Sequence, residues 1–171
     1  MVEYYNFTQT NQAKIVSSEG NLVKVRNRYG NVTESYETGE WKYYFENGKL
    51  ESRGSYKEGK KDGLWVIYNK SHTLRNEGEY KQNLKTGIWR AFEDNKLTEE
   101  TEFANNLRNG SFVRYYKESN RKETTGEYRN DQKVGRWQFW GADGTVQTEY
   151  NYNNAGLLHG KARFSNEMFS T

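Results

Sequence analysis

Side chains that could carry proton, metal or nucleophilic chemistry are few and poorly spaced in this sequence of 171 residues. The two histidines, His72 and His159, stand 87 residues apart, both at turn positions, so neither a histidine-based triad nor a two-histidine metal site can be built on them. The absence of cysteine removes a thiolate metal site, a cysteine nucleophile and a disulfide scaffold. Adjacent carboxylates such as Glu99 and Glu100 alternate to opposite faces of a strand and read as solvated surface, not as an acid–base pair. No glycine-rich phosphate loop opens a helix, because no stretch has a helical period of useful length. The expectation is a protein with no enzymatic activity, no metal and no cofactor.

Binding chemistry is better supplied. The aromatic residues Tyr44, Tyr68, Phe92, Tyr115 and Trp140 recur at nearly constant spacing, and exposed tyrosine or tryptophan beside arginine suits the centre of a protein interface. The basic residues Lys60, Lys61, Lys85, Arg108 and Lys133 recur at turns, where repetition would align them into a positive ridge. Glu58, Asp62 and Asp131 interrupt that ridge, which also has a plain reading as solubility and protection of sheet edges. These ten residues are the candidate partner-binding set.

Their regular spacing requires a repeated element to position them. A unit opening Gly-x-Trp begins at Gly39, Gly63, Gly87, Gly110 (with Phe112 for Trp) and Gly135, and a partial copy begins at Gly160, with steps of 24, 24, 23, 25 and 25 residues. Five residues after each opening glycine stands the aromatic of the candidate stripe. A second aromatic closes each unit: Tyr56, Tyr80, Phe103, Tyr128 and Tyr152. Between them lie the turn dipeptides Asn47-Gly48, Ser71-His72, Asp94-Asn95, Ser119-Asn120 and Asp143-Gly144. A two-residue turn at Asn47-Gly48 sets Phe45 opposite Leu50 and Trp41 opposite Gly54, and the same arithmetic sets Trp65 opposite Gly78; each indole is expected to cover the glycine facing it. A three-residue loop in the fourth unit would bring Phe112 to Gly126. Tyr150 breaks the glycine column of the fifth.

Each unit therefore reads as strand, turn, strand, turn. In the second turn, Gly59, Asn83, Asn106 and Asp131 share a column and are expected to be left-handed. The lack of proline agrees with a continuous meander in which interior strand residues donate to ladders. Five units plus a terminal strand give about 11 strands spaced ~4.8 Å apart, an elongated sheet. The candidate stripe lies three residues after the Trp column, an odd number. Either a bulge returns it to the Trp side or it forms a second, partly exposed stripe on the other face. Residues 1–38 read as an N-terminal cap with a degenerate, shortened hairpin around Tyr29-Gly30 and a further strand at 2–7. Residues 39–164 carry the repeats, and 165–171 form a tail.

Composition bounds the rest. A net charge of +3 gives little self-repulsion, and 16% aromatic content supplies the apolar area that disordered chains lack. No apolar run of 18 residues exists, and the first residues have neither the basic nor the apolar region of a secretory signal, so a cytoplasmic location is expected.

The pattern Gly-x-Trp-x-x-aromatic, turn, Gly-x-Tyr, basic turn resembles the MORN-repeat variant of bacterial proteins, from about Gly39 to Phe164. It departs from that pattern at Phe112, at Lys122 where other units have leucine, and at Thr101 and Tyr150 in the glycine column. The resemblance implies an all-β, elongated antiparallel β-hairpin meander, no catalysis, and a protein partner, commonly a toxin that an antitoxin or immunity protein neutralises. Related repeats have scaffolding and phospholipid-contact roles, so the rival readings are an anionic-lipid or nucleic-acid binder and a structural scaffold.

Overall fold

The computed structural model describes residues 2–10, 16–160 and 162–164; the expected tail at 165–171 and Lys161 of the partial sixth copy lie outside these residues. Every described element is a strand or a turn, and all strand pairs are antiparallel hairpin neighbours. Two compact units divide between Leu84 and Lys85 and are treated separately.

The first unit contains β1 (Val2–Thr10), β2 (Val16–Arg26), β3 (Val32–Tyr44), β4 (Leu50–Lys57), the two-residue β5 (Lys60–Lys61), β6 (Gly63–Tyr68) and β7 (Leu74–Lys81). Its sheet order is β1-β2-β3-β4-β6-β7, with β5 paired to β4. The second unit contains β8 (Leu84–Glu93, its first residue closing the first unit), β9 (Lys96–Ala104), β10 (Leu107–Tyr115), β11 (Lys122–Arg129), β12 (Gln132–Trp140), β13 (Val146–Tyr152) and β14 (Arg163–Phe164), paired in that order. The cap hairpin is not shortened: β2 and β3 are 11 and 13 residues long, and β3 runs unbroken through the expected boundary at residue 38. Asn27 closes its tip by accepting the N–H groups of Tyr29 and Asn31 on its side-chain oxygen.

The register places Trp41 opposite Gly54, Trp65 opposite Gly78 and Phe112 opposite Gly126, as expected, but by a different route. The first loop has three residues, Glu46 to Gly48, and Phe45 donates to Lys49, so Phe45 does not face Leu50. One extra residue in β4, Glu51, then restores the frame between Leu50 and Ser52. The same one-residue bulge recurs at Arg75, Thr98, Glu123 and Gln147. In the fourth repeat the loop has four residues, since Tyr116 donates to Arg121, and the bulge again compensates. Among the first turns of the five repeats, only Asp94-Asn95 is a true two-residue turn, with both residues left-handed (φ 49° and 62°).

The second turns follow expectation: Gly59, Asn83, Asn106 and Asp131 have φ of 72°, 69°, 70° and 66°. Each also clamps the preceding turn. Asn83 N donates to Lys61 O while Asn83 Oδ1 accepts Lys61 N–H (2.9 and 2.7 Å); Asn106 repeats this with Lys85, and Asp131 with Arg108.

The core of each unit lies on one face of its sheet. There the indole does not cover the glycine facing it in its own hairpin; it covers the glycine of the preceding strand. A Cβ built on Gly20 would lie 2.3 Å from Trp41, one on Gly54 2.3 Å from Trp65, and one on Gly126 2.3 Å from Trp137. Each indole N–H donates to the carbonyl of the residue after that glycine: Asn21, Ser55 and Glu127, at 3.1 to 3.2 Å. The tryptophans thus tie successive hairpins together, which a lone hairpin cannot do for itself. Edge-on rings complete the ladder: Trp41–Tyr56 and Trp65–Tyr80 in the first unit, Trp89–Phe103 and Trp137–Tyr152 in the second.

The same geometry accounts for the irregular columns. Phe112 replaces tryptophan where the preceding strand carries Thr101 in the glycine column, because a threonine side chain leaves no room for an indole. Tyr150 tolerates a side chain because β14 pairs Thr148 with Phe164 and Glu149 with Arg163, bringing Ala162 and not a tryptophan to its level.

Candidate functional site

The one-residue bulges near each first turn lie on the second strand of the hairpin, and the register shifts on the first strands β3, β10 and β12 fall at or before the Trp column, so alternation from each tryptophan-column residue to its stripe residue is undisturbed. The stripe residues three positions after the Trp column therefore stay on the face opposite the indoles, the second of the two arrangements the spacing allowed. Tyr44 and Tyr68 in the first unit, and Phe92, Tyr115 and Trp140 in the second, are all half-buried.

Most of these rings are fixed by polar partners. Tyr44 Oη donates to Glu19 Oε1 (2.7 Å), which also accepts from Lys42 Nζ (3.2 Å). Those bonds hold the Glu19 carboxyl below its usual range, while burial and the bond to Glu19 push the Tyr44 phenol up to about 12. The second unit repeats the arrangement: Tyr115 Oη donates to Glu100 Oε2 (2.8 Å), Arg90 Nε donates to Glu100 Oε1 (3.0 Å), and the Tyr115 phenol is also pushed up to about 12, mainly by burial. Trp140 Nε1 reaches Thr125 Oγ1 at 3.4 Å, and its carbonyl accepts the Tyr116 hydroxyl. Tyr68 stacks on His72, a left-handed turn residue (φ 68°).

The basic candidates divide differently. Lys60 is exposed. Lys61 Nζ lies over the Trp65 ring at 4.0 Å and Tyr80 at 5.2 Å. Lys85 Nζ lies over Trp89 and Phe103 at 4.2 and 5.2 Å, and Lys133 Nζ over Trp137 and Tyr152 at 4.3 and 5.7 Å. Arg108 lies over Tyr128 at 4.1 Å and pairs with Asp131 at 2.8 Å, which raises the guanidinium and lowers the carboxyl. Burial lowers the Lys61 and Lys85 ammonium groups. Four of the five cations are thus committed to rings of their own sheet, which weakens the case for a free positive ridge.

Sequence reasoning missed Glu19 and Glu100, the carboxylates that orient Tyr44 and Tyr115. Both stand in one repeat column, directly before the glycine-column residues Gly20 and Thr101 as Glu77 and Glu149 stand before Gly78 and Tyr150, and strand pairing brings them to the stripe. Among the described residues, no three histidine or acidic side chains stand close enough to hold a metal ion, and no helix is long and apolar enough to cross a membrane. Surface clefts are shallow; one of about 250 Å³ is lined by Asn6, Thr8, Glu19, Asn21, Glu40 and Lys42 on the stripe face of the first unit.

Two segments, residues 30–58 and 133–154, match the family model of the MORN repeat variant. They correspond to the β3–β4 hairpin and to most of β12–β13, and the repeats between them keep the same bulge and turn clamp. No curated protein matches the chain.

Proposed function

We propose that this protein is a non-enzymatic, cytoplasmic binding protein of bacterial origin that neutralises a cognate toxin by covering it. The observation that carries this reading is, within each unit, a set of half-buried aromatics opposite the indole face, with the Tyr44 hydroxyl of the first unit anchored by Glu19 and the Tyr115 hydroxyl of the second by Glu100. Rings held in one orientation lose little conformational freedom on binding and suit the desolvated centre of an interface. The mixed Lys42–Glu19 and Arg90–Glu100 surroundings supply selectivity through charge matching. The match to MORN-type repeats supports a binding role.

The test is binding of the purified chain to the product of the neighbouring toxin-like open reading frame, by calorimetry and by rescue of toxin-inhibited growth. The Tyr68→Ala, Tyr115→Ala double variant should fold and lose roughly tenfold or more in affinity. Charge reversal at Lys60 should mainly slow association. Parental affinity in the tyrosine variant would remove the stripe from the interface. Retention on anionic vesicles or nucleic acid, lost steeply with salt, would favour the electrostatic rival.

A further inference from the structure

Carboxylates of the column that precedes the glycine positions are matched one to one by cations in most places and outnumbered in one. In the first unit Glu19 pairs with Lys42, its cross-strand neighbour, at 3.2 Å. In the second, Glu100 pairs with Arg90, again its cross-strand neighbour, at 3.0 Å. Glu149, also in the second unit, has two cations. Arg136 Nη2 holds its Oε2, to which Gln138 Nε2 also donates at 3.3 Å. Arg163 of β14 stands directly opposite Glu149, as Lys42 stands opposite Glu19. The carboxylate is already taken by Arg136, and among the described residues Arg163 forms no ion pair. The bond from Arg136 holds the Glu149 carboxyl below its usual range, and the Arg163 charge adds to that effect, so the carboxylate stays ionised near neutral pH. Glu149 is buried, at 8% exposure, whereas both arginines are exposed. A cleft of about 240 Å³ opens among these three residues, lined also by Val146, Gln147 and Phe164. Val146 pairs with Trp140, which places the cleft beside the last ring of the stripe.

Two guanidinium groups around one carboxylate leave a positive charge without an internal partner at an open cleft. The buried carboxylate also orients Arg136, so an arriving anion meets a guanidinium that has little side-chain freedom left to lose. The planar fork of arginine matches a carboxylate through two parallel hydrogen bonds. We propose that Arg136 and Arg163 form a recognition site for an acidic side chain, aspartate or glutamate, of the partner protein, whose carboxylate bridges the two guanidinium groups. One carboxylate matches the one surplus charge. A phosphate backbone would need a longer run of cations, and no third one lines the cleft. This contact belongs to the stripe face and rests on the binding reading for its partner, whereas its test needs no toxin.

The arginine Nε–H signals of the full chain in a ¹H–¹⁵N correlation spectrum report on the site, with Arg136 and Arg163 assigned by Arg136→Lys and Arg163→Gln. Titration with Nα-acetyl-glutamate N-methylamide at constant ionic strength should shift both signals saturably, while the neutral glutamine analogue should not. Arg163→Gln should weaken the glutamate probe about two- to fivefold, read at Arg136. Lys49→Gln removes the same charge from an exposed position in the first unit and should leave the affinity unchanged. Signals that ignore the glutamate probe, or follow both probes alike, overturn the proposal. So do equal effects of Arg163→Gln and Lys49→Gln, or tighter binding of inorganic phosphate than of the glutamate probe. A chain that binds the glutamate probe as expected but no toxin would keep this site and remove the toxin-neutralising reading.

Discussion

Where β11 meets β12 in the second unit, an indole lies on a bare glycine, Trp137 on Gly126, with Lys133 above the ring. Where β9 meets β10 in the same unit, Phe112 stands opposite the buried Thr101, and the surroundings are polar: Thr101 Oγ1 donates to Glu99, which also accepts from Arg114. Both junctions bury their central ring, at 1% and 6% exposure, so neither solution is a defect. The difference teaches that the Trp column and the preceding glycine column are one packing unit. When the glycine gains a side chain, the indole must shrink to phenyl, and neighbouring polar groups fill the remaining space.

That lesson breaks most severely at the glycine. Gly126→Val should destabilise the chain by about 3 kcal/mol in urea unfolding, because its side chain would occupy the space of a buried indole. Thr101→Val, at the junction that already accommodates a β-branched residue, should cost about 1 kcal/mol, chiefly the lost bond to Glu99. Equal losses at the two sites would show that the junctions do not differ as described.

Phe112→Trp sharpens the same point. Alone it should cost about 1–3 kcal/mol through overpacking against Thr101; combined with Thr101→Gly, most of that should return. A double-mutant cycle with coupling under about 0.5 kcal/mol would separate the two columns.

Smaller effects are expected from the cation. Lys133→Met keeps the stem but removes the ammonium over Trp137 and should cost roughly 0.5–1 kcal/mol, whereas exposed Lys60→Met should be neutral. Identical unfolding curves for the two variants would remove the ring contact as a source of stability.

The smallest expected effect is that of pH at Tyr115. Its phenol titrates near 12 when folded and near 10 when unfolded, so its contribution is complete below pH 10 and is lost as pH rises toward 12. Lys85 acts with the opposite sign: its lowered folded value means stability rises as pH climbs from there toward the unfolded lysine value. Urea midpoints between pH 9 and 11.5 should therefore fall less steeply in Tyr115→Phe than in the parent. An unchanged slope would show that the phenol is neither buried nor bonded to Glu100 in solution as it is in the structure.

Much of the architecture could be read from the residues. The 24-residue step, the left-handed turn column at Gly59, Asn83, Asn106 and Asp131, and the pairing of Trp41 with Gly54 all follow from local turn chemistry and alternation. The pairing emerged correctly although its premise was one residue short, because the longer loop at Glu46–Gly48 and the bulge at Glu51 cancel. Spacing alone left the face of Tyr44 and Tyr115 open; it depended on which strand carries the bulge.

The sequence by itself determined the repeated all-β hairpins, since period-two alternation, turn residues and the glycine columns act within one hairpin. Only the tertiary structure decided that each indole rests on the preceding hairpin's glycine, that the column lysines lie on tryptophan rings, and that Glu19 and Glu100 orient the opposite stripe. The indole–carbonyl and tyrosine–carboxylate contacts join residues 10 to 25 positions apart across separate hairpins, where relative placement is fixed by bulge, twist and ring packing together and by no local preference of the chain.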